Sequence, residues 1–238
     1  MSFISHLPIW LLLIVVPMIF GFYAQMKIRR AYARNVQILS RGGLTGREAA
    51  EAVMRSAGID NVEIVEVPGE LTDHYDPLNH RLALSEHNYN GTSLAALGVA
   101  AHEAGHAIQH KVGYKMMSFR QTLAPATQIA SGVANFAMMF GVYLFTGHGG
   151  FGYNIMLMGA IALGIICVFQ FVTLPVEFDA SRRAKVQLVN LGILDRAEMK
   201  GVHETLDAAG LTYIAAFTAS LGYLLHILMM LSGNRRND

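Results

Sequence analysis

A lone cysteine, Cys167, is all that 238 residues supply, so no disulfide can form within the chain. Charge is scarce too. Only 15% of the residues are charged while 53% are hydrophobic, a balance that argues against an ordinary soluble domain. The formal net charge is +1 and no basic stripe is present, which argues against a nucleic-acid partner. Internal repeats and low-complexity tracts are absent, so neither a solenoid nor a disordered tail organises the chain.

What the chain has is apolar length. Four runs, at about 3–24, 122–146, 152–174 and 211–232, are each long enough to cross a bilayer. The first has no basic residues ahead of it; Lys27, Arg29, Arg30 and Arg34 come after, which reads as an uncleaved anchor rather than a signal peptide. Pro17 predicts a kink in that span rather than a break. The second run is rich in Ala, Gly, Ser and Thr, the composition of helix–helix packing in lipid. The short connection Gly147 to Phe151 predicts that the second and third runs form a membrane hairpin. Every Lys and Arg except Arg235 and Arg236 lies within 27–120 or 182–200. By the positive-inside rule both regions face the cytoplasm and both termini lie outside; the tail arginines depart from the rule.

Between the first two runs the pattern is that of a small folded unit. Thr45-Gly-Arg-Glu48 is a capping box opening a helix that ends near Gly58. Val62 to Val67 alternates with period two, and His80 to Ser85 is a second strand candidate after a polar loop. A helix with N-cap candidates Asn90, Thr92 and Ser93 follows, giving helix–strand–strand–helix. The predicted division is an anchor at 1–26, a catalytic unit at 27–119, a membrane hairpin at 120–175, a cytoplasmic segment at 176–210, and a last span with a short tail at 211–238.

The last helix of that unit carries the chemistry. It contains His102-Glu103-Ala-Gly-His106, an H-E-x-x-H motif. Two histidines one helical turn apart share a face and can point at one ion. Glu103, beside the first ligand, points elsewhere and is placed as the general base toward a zinc-activated water. His110 continues the stripe, but about 12 Å of rise separates it from His102, too far for one ion, and it reads as a helix-end histidine. The metzincin pattern requires a Gly and a His where Gln109 and Val112 stand, so the third ligand comes from elsewhere. Glu177, in Leu174-Pro-Val-Glu-Phe-Asp-Ala-Ser181, falls on the same predicted membrane face and completes a His/His/Glu set. Pro175 reads as a helix start, with Glu177 in the first turn. Asp179 is the rival carboxylate, two residues on and facing away if Glu177 faces the metal.

These stretches, with Asp76-Pro77, Leu84-Ser85, Ala100 to His110, Leu174 to Ala184 and Leu211 to Ala216, closely resemble the bacterial membrane-bound neutral zinc metallopeptidase family over nearly the whole chain. The sequence is more distantly similar to CAAX prenyl proteases and to the stress-linked membrane zinc proteases of bacteria. The resemblance implies a mainly α membrane protein, with four transmembrane helices around a small α+β gluzincin-like core. It implies a zinc metalloendopeptidase in the bacterial inner membrane, with one zinc per chain and a membrane-associated peptide or protein as substrate. One departure stands out. Gluzincins often carry an Asp four residues after the Glu ligand, supporting a metal-bound histidine; here that position is Ser181, and Asp73, Asp76 or Asp179 are substitutes to consider.

Further candidates follow from the same topology. Arg182, His203, Tyr213, His80 and His87 are possible donors to a tetrahedral oxyanion. His226 lies within the last span, where a neutral imidazole bonded to a neighbouring helix is the expectation. The strand Arg81, Leu82, Ala83, Leu84, Ser85 is a possible edge for pairing with extended substrate. Two other readings compete: an intramembrane protease, disfavoured by the polar residues of 92–112, and a catalytically inactive zinc-binding membrane scaffold, disfavoured by an intact Glu103.

Overall fold

The computed structural model describes residues 8–141 and 149–234, with the side chains of 149, 150, 233 and 234 left aside. A π-helical turn, Leu11–Val15, leads into α1 (Val16–Asn35). There follow α2 (Gly46–Ser56), β1 (Glu63–Val67), β2 (His74–Asp76), β3 (Arg81–Ser85), α3 (Glu86–Asn90) and α4 (Leu94–Lys111). Then come α5 (Lys115–Phe136), continued by a π-helical turn at Ala137–Gly141, α6 (Gly149–Asn190) and α7 (Met199–Asn234).

The chain divides into two units. One, apolar, comprises the described residues up to Ala24, Phe119–Leu174 and those from Thr212 onward. Among the described residues three helices are long and apolar enough to cross a membrane: Leu11–Asn35, Phe151–Asn190 and Met199–Ser232. The expected fourth span, 122–146, ends outside the described residues, as do Gly147 and His148 of the hairpin loop, whose last three residues begin α6. Its described part is helical, as α5 and the turn after it. Within this unit Ala130, Ala134, Met156, Ala160, Leu163 and Ile227 bury against one another, small residues alternating with large ones so that helices approach closely. Pro17 has no N–H for the carbonyl of Leu13, four residues back. A π-helical turn precedes it, and Gly222 packs against that carbonyl so closely that a Cβ there would fall 2.0 Å from the Leu13 oxygen.

The other unit comprises Gln25–Ser118 and Pro175–Leu211. Its sheet has the order β1-β3-β2, with β1 parallel and β2 antiparallel to β3. The three-residue strand β2 lies in what reads from sequence as a polar loop, being too short and too polar to show an alternating pattern. Its presence corrects the expectation for Arg81–Ser85. That strand is the centre of the sheet, paired with β1 from Glu63↔Arg81 to Val67↔Ser85 and with β2 from Tyr75↔Leu82 to its neighbours, so it offers no edge to substrate. Its side chains explain the position: Leu82 and Leu84 are fully buried, each contributing about 1.5–3 kcal/mol of apolar burial.

Over these leucines pack Ala49, Ala50, Val53 and Met54 of α2 and Leu97, Ala100, Ala101 and Ala104 of α4, with Ala184 and Leu188 of α6 and Val202 and Leu206 of α7. Helix α2 begins at the expected capping box: the Thr45 hydroxyl accepts from Glu48 N–H (3.2 Å) and the Glu48 carboxylate accepts from Thr45 N–H (2.8 Å). Ser93, of the three candidates, caps α4 by accepting from the Ala96 N–H (3.2 Å). A further correction concerns Pro175. It starts no helix but lies inside α6, where one continuous 42-residue helix carries the apolar run onward into the turn that bears Glu177. A proline inside a helix removes a single backbone bond, and an apolar helix packed by its neighbours tolerates that loss.

Candidate metal centre

Helix α4 is buried along nearly its whole length, and its small residues let another helix come close. At Gly105 a Cβ would meet the Ala180 carbonyl oxygen at 2.6 Å, so α4 and the Pro175–Asn190 part of α6 touch backbone to backbone there. This contact sets the site. It brings Glu177, about a turn before Ala180, and Ser181, next to it, onto the face of α4 that carries His102 and His106.

The three expected ligands converge. One nitrogen of each histidine and one oxygen of Glu177 all lie within 4.8 Å of one another. The Glu177 Oε2 is 3.2 Å from His102 Nε2 and 3.5 Å from His106 Nε2. Two atoms bound to one tetrahedral ion at about 2.0–2.1 Å stand about 3.3 Å apart, so these spacings fit a zinc ligand set. Glu177 is 3% exposed and His106 7%, and a carboxylate is kept at such depth only beside compensating charge.

The outer nitrogens of both rings are held. His102 Nδ1 is 3.0 Å from the hydroxyl of Ser181, and His106 Nδ1 is 3.0 Å from Gln109 Oε1. Gln109 is fully buried, and its amide nitrogen donates to the Val176 carbonyl (2.7 Å) and to Asp179 Oδ2 (3.0 Å). With both donors used on acceptors, the Gln109 oxygen can only accept, so His106 Nδ1 must carry a proton. Nε2 is then the nitrogen that faces the Glu177 carboxylate, and the two need a proton or a metal cation between them. A borderline metal that takes imidazole and carboxylate, such as zinc, meets the need for all three groups at once.

Glu103, 7% exposed, lies beside this cluster. Burial pushes its carboxyl above the usual range, the two imidazoles oppose the shift, and Glu177 and Asp73 add to it. Among the described residues its oxygens make no hydrogen bond, yet neither is sealed from solvent. It is therefore a carboxylate with unused acceptor capacity and access to water.

The remaining candidates within this unit fall outside the cluster. Asp179 faces away from Glu177's partners and binds Gln109, Arg182 and Arg183. Asp73 accepts from Ser85 and Asn88, and Asp76 from Leu78 and Asn79. His110 bonds through Nδ1 to the hydroxyl of Tyr75 (2.8 Å), with the exposed His80 ring 5.5 Å away. Arg182 and His203 are exposed and pair with Asp179 and Asp207, His87 is exposed, and Tyr213 belongs to the apolar unit. Gln109 escapes a reading based on motifs, although a buried amide three residues after a ligating histidine is the signal that could have found it.

The model of a family described as "Putative neutral zinc metallopeptidase" matches residues 10–232. The "Putative membrane protease YugP" of Bacillus subtilis (strain 168) is 38% identical over 215 residues, covering 90% of this chain and 93% of that protein. No solved structure matches.

Proposed function

The chain belongs to this neutral zinc metallopeptidase family, and from that membership we propose that it is a membrane-embedded zinc metalloendopeptidase cleaving membrane-associated proteins or peptides. The observation that carries the reading is the convergence of His102, His106 and Glu177 beside the unbonded carboxylate of Glu103. One zinc per chain would be held by the Nε2 atoms of His102 and His106 and the carboxylate of Glu177, the ligand set of a gluzincin. When bound, zinc supplies Lewis acidity, which acidifies water and polarises a scissile carbonyl.

The chain's own residues handle the proton. Glu103, made more basic by burial, accepts it at a carboxylate oxygen from the attacking water and returns it to the nitrogen of the departing amine. Both histidines are unavailable for that task, because Ser181 and Gln109 hold their outer nitrogens. The same two contacts fix the ring orientations before substrate arrives, which lowers the reorganisation the reaction requires.

Three apolar helices and a membrane-protease relative support an integral membrane protein. The apolar run 122–146, helical through its described part, supports a fourth span, and the distribution of Lys and Arg supports an inner-membrane site facing the cytoplasm with both termini outside. The lipid bilayer and a peptide or protein substrate are the partners of this reading, with no nucleic acid among them.

Metal analysis of the detergent-purified protein, monodisperse and folded, tests it together with cleavage of membrane-derived peptides. The expected result is about one zinc per wild-type chain, lost in Glu177→Ala together with cleavage. A wild type that keeps its zinc and binds such peptides without ever cleaving them would instead establish the inactive scaffold.

A further inference from the structure

The sheet has two open edges, β1 and β2. Edge β2 adjoins α4, through the contact of Tyr75 with His110. Edge β1 lies on the opposite side of the sheet, and nothing in the catalytic reading uses it. The N–H of Glu63 bonds the carbonyl of His80, just before β3 (3.0 Å), so in a strand of period two Glu63, Val65 and Val67 turn their backbone groups inward. Ile64 and Glu66 therefore turn theirs outward, where no described residue bonds them. Those groups form a row of unpaired donors and acceptors, the template for an added strand.

A groove of about 400 Å³ lies at the start of this edge, between α2 and the residues leading into β1, lined by Met54, Ile59, Asp60, Glu63 and Ile64. Charge decides what fits there. The strand bears Glu63 and Glu66 and no cation, and Asp60 stands just before it without an ion-pair partner among the described residues. Of the other charged groups around the groove, Arg55 is neutralised by Glu51 (2.6 Å), Arg47 lies over the Tyr89 ring, and Arg81 reaches Glu63 from the far side at 3.4 Å. Among the described residues the Glu66 carboxylate is met only by the amide of Asn90, at 3.4 Å.

We propose that β1 is a docking edge for an extended polypeptide segment rich in Lys or Arg, which adds to the sheet beside Ile64 and Glu66 and sets basic side chains of its two faces against Glu63 and Glu66, which stand on opposite faces of the strand, and against Asp60 before it. Main-chain pairing supplies the affinity and the acidic side chains the selectivity, as in strand addition generally. The identity of the occupant rests on the membrane-peptidase reading. Segments next to the cytoplasmic ends of membrane spans are basic, so an acidic edge on that side selects membrane proteins near their spans. Docking there is remote from the chemistry and holds substrate before cleavage.

The test is fluorescence anisotropy with the detergent-purified protein and a labelled peptide repeating Lys-Lys-Val-Val, which shows lysines on both faces when extended, with a Glu-Glu-Val-Val repeat as comparison. The Glu103→Gln background prevents cleavage during the measurement. Glu66→Pro removes one outward N–H, a change edge strands accommodate, and Glu66→Gln removes the charge alone. The expected result is binding of the lysine peptide only, weakened about tenfold further by Glu66→Pro than by Glu66→Gln. Glu63→Lys, at an exposed position, should weaken the lysine peptide and admit the glutamate one. Equal affinity in the proline and glutamine variants, indifference to Glu63→Lys, or no binding by the wild type would each overturn the proposal. Because binding should persist in metal-free Glu177→Ala, failure of the peptidase reading leaves this result distinct.

Discussion

Gln109 Oε1 lies 3.0 Å from His106 Nδ1, and the same side chain spends its amide hydrogens on Val176 and Asp179. One buried amide thus orients a histidine on its own helix and ties that helix to α6 within Glu177's own turn. Leucine at this position keeps the volume but leaves the imidazole free to rotate and change tautomer. Gln109→Leu should weaken zinc binding about 10–100-fold, the usual cost of losing an outer partner of a ligating histidine. Competition with a chelator of known affinity measures it; unchanged affinity would mean that the ring is held by packing alone.

Substitution at Glu103 tests turnover apart from metal binding. It is absent from the converging donor set and makes no hydrogen bond among the described residues. Glu103→Gln preserves shape and removes basicity, so zinc content should stay at the wild-type level while cleavage falls about 10²–10⁴-fold, the range for a positioned general base. Loss of zinc in this variant would move Glu103 into the ligand set.

Gly105 is where the two helices of the site meet. A Cβ would stand 2.6 Å from the Ala180 carbonyl oxygen, and since that neighbour is backbone the helices themselves must separate. Gly105→Ala should cost about 1–3 kcal/mol of stability, as overpacking does, and should loosen zinc by moving Glu177 away from the histidines. Thermal unfolding with and without zinc reads both effects. An alanine variant of wild-type stability would show that the approach is looser than this contact requires.

The converging histidines were legible because they sit in a motif whose spacing is the helical repeat: His102 and His106 share a face whatever surrounds them. Glu177 was legible through composition, as a carboxylate beside an apolar run on the expected side of the membrane. Gln109 was not, because its role depends on Val176 and Asp179, residues 67 and 70 positions away, and no local pattern encodes that contact. The sheet failed similarly. Strand β2 has three residues and no apolar alternation, so its pairing with β3, and hence β3's central position, arises only from tertiary contact. Pro175 misled for a different reason. The rule that proline opens helices was learned in water, and apolar helices packed among others relax it.

The start of α2 gives a pH signature away from the metal. Hydrogen bonds from the Thr45 N–H and hydroxyl hold the Glu48 carboxyl below the usual range. A group depressed in the folded state adds stability above its unfolded pKa and loses it as pH falls through the folded one. Wild type should therefore be more stable than Glu48→Gln near neutrality, and the gap should close as pH drops below the ordinary Glu value of about 4.3. Thermal unfolding of the pair across pH measures the gap; one that widens in acid would contradict the capping-box assignment.

Ser181 offers the sharpest test of how the metal is held, because a hydroxyl can face His102 Nδ1 in either direction, as donor or as acceptor. If it donates, the His102 proton sits on Nε2, and that nitrogen cannot bind zinc. If it accepts, Nδ1 carries the proton and Nε2 is free for the metal. Ser181→Asp decides between these, since an ionised carboxylate only accepts and forms a hydrogen bond about twice as strong as a neutral one. The position is half-buried, so the charge keeps some contact with water. Chelator competition should rank zinc affinity with Ser181→Asp at or above wild type and Ser181→Ala about tenfold below it. A wild type tighter than Ser181→Asp but equal to Ser181→Ala would show that the hydroxyl contributes nothing to the tautomer, leaving Glu177 and packing to orient His102 unaided.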